Sequence, residues 1–191
     1  MGTAIRPATV NYRLPAFEQK IVAPQSVAEY ARALPRPLVF TNGVFDLLHR
    51  GHVTYLAQAR ALGASLVVAL NSDASTKRLG KGDDRPIHRL EDRAALIAAL
   101  EAVSAVTWFE ADTPLALILA LRPEVLIKGG DWPAAAIVGA AEVLAWGGGV
   151  HAIPFLHQKS TTALLGSIRE NANFNNKNSE LPINPQDKSA L

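Results

Sequence analysis

Two histidines three positions apart, His49 and His52, flank Gly51 in the run Asn42-Gly43-Val44-Phe45-Asp46-Leu47-Leu48-His49-Arg50-Gly51-His52. Imidazoles at that spacing can both donate hydrogen bonds to one anion. The apolar run Leu38-Val39-Phe40 precedes them and reads as a strand, and a helical pattern follows from His52 to Leu62. Two donors therefore stand at the carboxyl end of a strand and at the mouth of a helix, which is where an open α/β sheet binds phosphate. Gly43 lets the backbone come close to a ligand, and Gly51 removes a side chain from between the two rings. The chemistry this suits is attack on a nucleotide α-phosphate, with charge growing on the phosphoryl oxygens and on the leaving pyrophosphate. Such transfers depend on positioning and electrostatic stabilisation. Histidines that merely cap a helix are the plain alternative. The register of Asn42, Gly43, Val44, Phe45 and Asp46 behind a strand argues against it.

Three further groupings could serve the same anion. Lys159-Ser160-Thr161-Thr162 opens a predicted last helix, and Ser160, Thr161 and Thr162 offer hydroxyls and free N–H groups for outer phosphates. An ordinary N-cap has the same look. Lys128-Gly129-Gly130-Asp131-Trp132 follows another apolar run. There Gly129 and Gly130 let a base or ribose lie on the backbone and Lys128 can reach a phosphate, while a turn at Asp131 with a surface Trp132 is the plain alternative. The third grouping is the loop from Asn71 and Asp73 through Lys77, Arg78, Lys81 and Arg85, with Arg93 beyond it. It is rich in cations and glycine and reads as a mobile sugar-phosphate or triphosphate loop, although loops of this composition are often only solvated. Gly80-Lys81-Gly82 lacks P-loop spacing, and Gly147-Gly148-Gly149 precedes a strand, so neither is a standard phosphate fingerprint. His88, His151 and His157 have no metal-ligand spacing, and no protein-held metal is expected.

The elements that must position these groups alternate along the chain. A capping box at Ser26 and Glu29 predicts a short helix to residue 34. Strands are expected over 38–41, 65–70, 105–109, 125–127 and 150–153. Helices are expected over 52–62, 90–103, from Pro114 capped by Thr113, over 135–146 and over 161–169. Continuous apolar strands are those of a sheet covered on both faces. The fold class is therefore α/β, a doubly wound Rossmann-like sheet of five parallel strands in a single domain. Residues 1–24 read as an irregular extension, 25–170 as the domain and 171–191 as a disordered tail.

Composition narrows the partners. The chain has 191 residues, 49% of them apolar, a net charge of +2 and no cysteine. Disulfide and thiolate chemistry are excluded. Basic residues do not interleave with aromatics, so no nucleic-acid partner is expected. No stretch reaches the roughly 20 apolar residues of a membrane helix, and no signal peptide is visible. A cytoplasmic protein without a membrane partner is the expectation.

At these residues the chain resembles the cytidylyltransferase-like nucleotidyltransferases, whose mark is the HxGH signature, here His49-Arg50-Gly51-His52. Asn71-Ser72-Asp73, Arg85-Pro86-Ile87, Asp92-Arg93 and Lys128 to Trp132 followed by Ile137-Val138-Gly139 are similar to the branch that adenylylates heptose 1-phosphates. The resemblance covers roughly residues 26–170. It implies transfer of AMP from ATP to a heptose 1-phosphate, with ADP-heptose and pyrophosphate as products feeding lipopolysaccharide core synthesis. His49 and His52 would be catalytic, and Mg2+ would be bound mainly through the nucleotide phosphates. A separate sugar kinase would supply the acceptor, and a homodimer would pair exposed apolar helix faces. Related cytidylyltransferases carry Arg and Gly shortly before Ser-Thr-Thr, where this chain has Phe155-Leu156-His157-Gln158-Lys159. That difference speaks for ATP over CTP. A glycerol-3-phosphate-type cytidylyltransferase and a catalytically silent nucleotide-binding module remain the alternatives.

Overall fold

A computed structural model describes residues 13–80, 82, 84–157, 164 and 166–168. Ser160, Thr161, Thr162 and the tail from 171 lie outside them. Five strands, β1 (Leu38–Gly43), β2 (Ser65–Asn71), β3 (Ala105–Phe109), β4 (Val125–Gly129) and β5 (Gly149–Ile153), form one sheet in the order β3-β2-β1-β4-β5. All neighbours are parallel, with Leu38 opposite Ser65 and Val39 opposite Val125. The helices that accompany them among the described residues include α1 (Val27–Arg32), α2 (Arg50–Arg60), α3 (Asp73–Arg78), α4 (Leu90–Ala98), α5 (Leu115–Leu121) and α6 (Ala140–Ala145). The doubly wound architecture expected from the sequence is present.

Alternation along each strand divides the core in two. Leu38, Phe40, Val67, Ala69 and Leu126 pack with α1, α5 and α6, whereas Val39, Leu66, Val68, Leu70 and Ile127 pack with α2 and α4. Successive strand residues face opposite sides. β1, β2, β3 and the middle of β4 are covered on both sides, which is why they read as nearly continuous apolar runs, while β5 lies at the edge with no buried residue. Reversal of strand order between β1 and β4 opens a crevice at their carboxyl ends.

Several local expectations are corrected. Ser26 has helical backbone angles and makes no side-chain cap bond, so the capping box does not form and α1 ends at Arg32. α2 begins at Arg50 with His49 as its N-cap, ahead of the expected His52. The loop after β2 contains α3, whose N-cap Ser72 accepts a hydrogen bond from the Ser75 amide at 3.1 Å. α4 stops at Ala98, short of residue 103. Pro114, with no side-chain bond from Thr113, occupies the N-cap of α5. The stretch 135–146 is broken: Ala134–Ala136 forms one 3-10 turn, Ile137 is extended, and Gly139 at φ 87° starts α6. A Cβ on Gly139 would lie 2.7 Å from the Ile118 side chain, so that bend is also a close contact between α5 and α6. Before residue 25, Ala16–Lys20 forms a 3-10 turn and Ile21 bridges Val106 in parallel, extending the sheet past β3. Of the expected last helix, residues 164 and 166–168 are described and are helical.

Candidate active site

β1 ends at Gly43, and the chain must turn sharply before α2 can start. Phe45 makes the turn with a positive φ of 48°, a conformation that side-chain-bearing residues rarely adopt. Its carbonyl and carboxylate neighbours hold it there. Arg93, fully buried on α4, donates from Nη1 to the Val44 carbonyl at 2.8 Å, from Nε to the His88 carbonyl at 3.1 Å and from Nη2 to Asp73 Oδ1 at 2.6 Å. Asp46 Oδ1 accepts from the amides of Ile87 and His88 at 2.8 and 3.0 Å, and Oδ2 pairs with Arg85 Nε at 2.8 Å. Ion pairing to Arg85 and Asp73 and the amide and carbonyl contacts offset the cost of burying this much charge, although Asp46 Oδ2 meets Arg85 as an ion pair without a hydrogen bond of its own. The Phe45 ring thereby meets His52 edge-on, with centroids 5.2 Å apart.

The histidines are brought together as the spacing requires. His49 caps α2 from extended backbone and His52 lies one turn on, so the rings stack with centroids 3.8 Å apart and planes 20° from parallel. Gly51 makes the stack possible. A Cβ there would come within 2.9 Å of the His157 carbonyl and 3.0 Å of the His49 ring. Burial first and the neighbouring His49 second, opposed by a backbone hydrogen bond at Leu47, together lower the His52 pKa to about 4. At neutral pH His52 is therefore an uncharged hydrogen-bond donor. Its buried Nδ1 has no hydrogen-bond partner in the structure. Tyr55, one more turn along α2, shares a 2.5 Å hydrogen bond with Thr41, and burial pushes its phenol well above the ordinary range.

These groups open into a cavity of about 770 Å³. Asn42, Gly43, Val44, Phe45, Asp46, His49 and His52 line its centre. Lys128, Gly129, Gly130 and Trp132 line one side, and Lys128 Nζ donates to Asn42 Oδ1 at 3.4 Å. Gly130 takes a φ of 107°, which only glycine adopts easily. Of the residues expected to bind sugar phosphate, Asn71 and Arg85 line the cavity, whereas Asp73, Arg78 and Arg93 do not. Asp73 and Arg93 are paired with each other, and Arg78 donates from Nε to Asp112 at 2.8 Å and from Nη2 to the Glu110 carbonyl. Gly51 and Asp131 are also outside the lining, and Ser160 to Thr162 lie outside the described residues.

The sequence reading missed Tyr55, Thr76, Asp112, Thr113, Ile137, Val138 and Phe155, all of which line the cavity. Tyr55 had a signal, since it sits three residues beyond His52 on one helical face. Phe155 had a weaker one, two residues past the end of β5. Among the described residues no cluster of three metal-ligating side chains exists. Asp46, the carboxylate beside the histidines, is ion-paired with Arg85. A magnesium ion fits this site as part of a nucleotide substrate, held by phosphate oxygens. No helix among the described residues is long and apolar enough to cross a membrane.

A doubly wound sheet with paired imidazoles at its switch point, beside a glycine-lined cavity, defines a nucleotide-transferring α/β enzyme. A family model described as cytidylyltransferase-like matches residues 40–155. Over 156 residues the chain is 58% identical to D-beta-D-heptose 1-phosphate adenylyltransferase of Bordetella bronchiseptica, covering 81% of this chain and 96% of that one. It is 54% identical over 140 residues to the bifunctional protein HldE of Hahella chejuensis, a stretch that is 73% of this chain and 29% of HldE. A solved lipopolysaccharide core biosynthesis protein from Thermoplasma volcanium superposes with a TM-score of 0.52 at 26% identity, over 64% of this chain and 98% of its own. Pantoate-beta-alanine ligase from Francisella tularensis shares the fold alone, with a TM-score of 0.52 at 13% identity over 74% of this chain and 68% of its own. The chain belongs to the cytidylyltransferase-like family.

Proposed function

We propose that this protein transfers the AMP unit of ATP to D-glycero-β-D-manno-heptose 1-phosphate, giving ADP-heptose and pyrophosphate for lipopolysaccharide core assembly. The observation that carries the reading is the stacked pair His49 and His52 at the N-terminus of α2, in the middle of the cavity. The 58% identity to the Bordetella bronchiseptica adenylyltransferase, along nearly all of that enzyme, supports the choice of nucleotide and sugar. Magnesium enters with the substrate as MgATP. The reaction belongs in the cytoplasm, where ATP is available, and the catalytic unit is residues 25–170.

An oxygen of the acceptor phosphate attacks the α-phosphorus, and the bond from that phosphorus to the bridging oxygen of pyrophosphate breaks. The attacking group is already anionic near neutral pH, so no side chain has to remove a proton. His49 and His52 donate hydrogen bonds to the α-phosphoryl and leaving oxygens as charge moves onto them. The positive end of α2 points at the same place. Lys128 and the backbone at Gly129 and Gly130 hold the nucleotide, with Trp132 and Phe155 walling its base. Arg85, on the other side, faces the acceptor phosphate while Asp46 fixes its orientation.

Pyrophosphate release tests the reading directly, offering MgATP or MgCTP against both anomers of heptose 1-phosphate and against glycerol 3-phosphate. Turnover confined to MgATP with the β-anomer is expected. Preference for CTP with glycerol 3-phosphate would replace the substrate assignment, and silence in all combinations would remove the enzyme reading.

A further inference from the structure

Because β1 lies at the centre of the sheet, the loops after β2 and β3 stand on one side of the histidines and those after β4 and β5 on the other. Glycines and aromatic rings line the second side. The first is polar: Asn71, Thr76, Arg85, Asp112 and Thr113 line it, with Leu79. We propose that Thr76 and Asp112 form the subsite that reads the hydroxyl groups of the acceptor sugar, an assignment that rests on the adenylyltransferase reading above.

Thr76 is 1% exposed, yet its hydroxyl has no hydrogen-bond partner in the structure. A buried hydroxyl left alone is disfavoured, and a ligand in the cavity it lines supplies the missing partner. Asp112 presents the opposite case. Its side chain is 80% exposed, and Arg78 holds Oδ1 at 2.8 Å while also gripping the Glu110 carbonyl. Among the described residues Oδ2 has no partner, so one oxygen of a steered carboxylate is available at the cavity. Arg78, expected from sequence to bind the sugar phosphate, is instead the positioning residue for Asp112.

The chemistry of this pair selects the sugar ring. A carboxylate repels phosphate and accepts hydrogen bonds from neutral O–H groups, and a threonine hydroxyl can donate or accept. The acceptor phosphate therefore lies towards Arg85 and the histidines, with the ring hydroxyls against Thr76 and Asp112. A site built to bond hydroxyls rejects an acceptor that lacks them, because its own polar groups are then stranded.

Steady-state kinetics on the full chain test this, with heptose 1-phosphate varied at saturating MgATP and the reverse. Asp112→Asn should lower kcat/KM for heptose 1-phosphate by roughly 10–100-fold, and the isosteric Thr76→Val by about 5–10-fold. The KM for ATP should stay within about twofold of wild type, and Thr76→Ser should restore most of the loss. The preference for heptose 1-phosphate over glycerol 3-phosphate should shrink in both variants. Unchanged heptose kinetics in Thr76→Val and Asp112→Asn, beside an active wild type, would overturn the subsite and leave the adenylyltransferase reading standing. Equal losses on the ATP side would overturn it as well. A wild type silent towards heptose 1-phosphate would overturn both.

Discussion

His52 is uncharged at neutral pH because its site keeps it so: burial first, then the ring of His49 stacked 3.8 Å away. The unfolded chain has no such restraint, and there His52 protonates near its ordinary value of about 6.5. Above that pH both states hold the neutral ring and stability is unaffected. As pH falls from about 6.5 towards about 4, the unfolded state takes up the proton first and the fold loses roughly 2–3 kcal/mol. Replacing His52 with Gln should remove this acid-side loss while lowering turnover by roughly a hundredfold, the scale of one lost transition-state donor. Denaturant melts at pH 7 and pH 4.5, beside an activity assay, check both parts. An unchanged acid-side loss would show that another group carries it. Arriving polyphosphate acts the other way, stabilising the charged imidazole and drawing its pKa upward.

At the scale of elements, α2 carries a residue that its helix would not choose. Glycine inside a helix costs about 1 kcal/mol relative to alanine, and Gly51 is tolerated because a Cβ would strike the His157 carbonyl and the His49 ring. Gly51→Ala should therefore strengthen the isolated helix and impair the enzyme, with kcat down by roughly tenfold or more as the stacked ring is pushed aside. A thermal melt beside the kinetics separates the two effects; normal kcat would mean that the ring moves without consequence. How legible each element was follows from its surroundings. β1, β2, β3 and the middle of β4 could be read because burial on both faces forces apolar runs, whereas β5, an edge strand with no buried residue, was read from Val150, Ala152 and Ile153 around an exposed His151. α3 could not, since Asp73–Arg78 is six residues long, polar and without an apolar period. The histidine pair was legible because its partners are three residues apart. Arg93 was not, for its partners Val44 and Asp73 lie 49 and 20 residues away. A buried arginine holding a turn looks the same in sequence as an exposed one awaiting a phosphate. The capping box failed for a related reason: Ser26 sits in helical backbone, where its hydroxyl cannot take up the cap geometry.

Across the whole molecule, the described cavity lining comes from residues 42–138 and Phe155. The polar composition of residues 171–191 offers little to bury. Their removal should leave kcat, KM and melting temperature unchanged. A large drop in any of these would place part of the catalytic unit in that segment. The strand order β3-β2-β1-β4-β5 has a consequence for inheritance. Reading along the chain, everything up to α5 builds the histidine turn and the polar side of the cavity, and everything after it builds the glycine-lined side. The gene is therefore ordered as the site is, half by half. A single crossover within the α5 coding segment would exchange one side for that of a relative while keeping the other whole. A lineage could thus acquire a new acceptor without relearning its nucleotide.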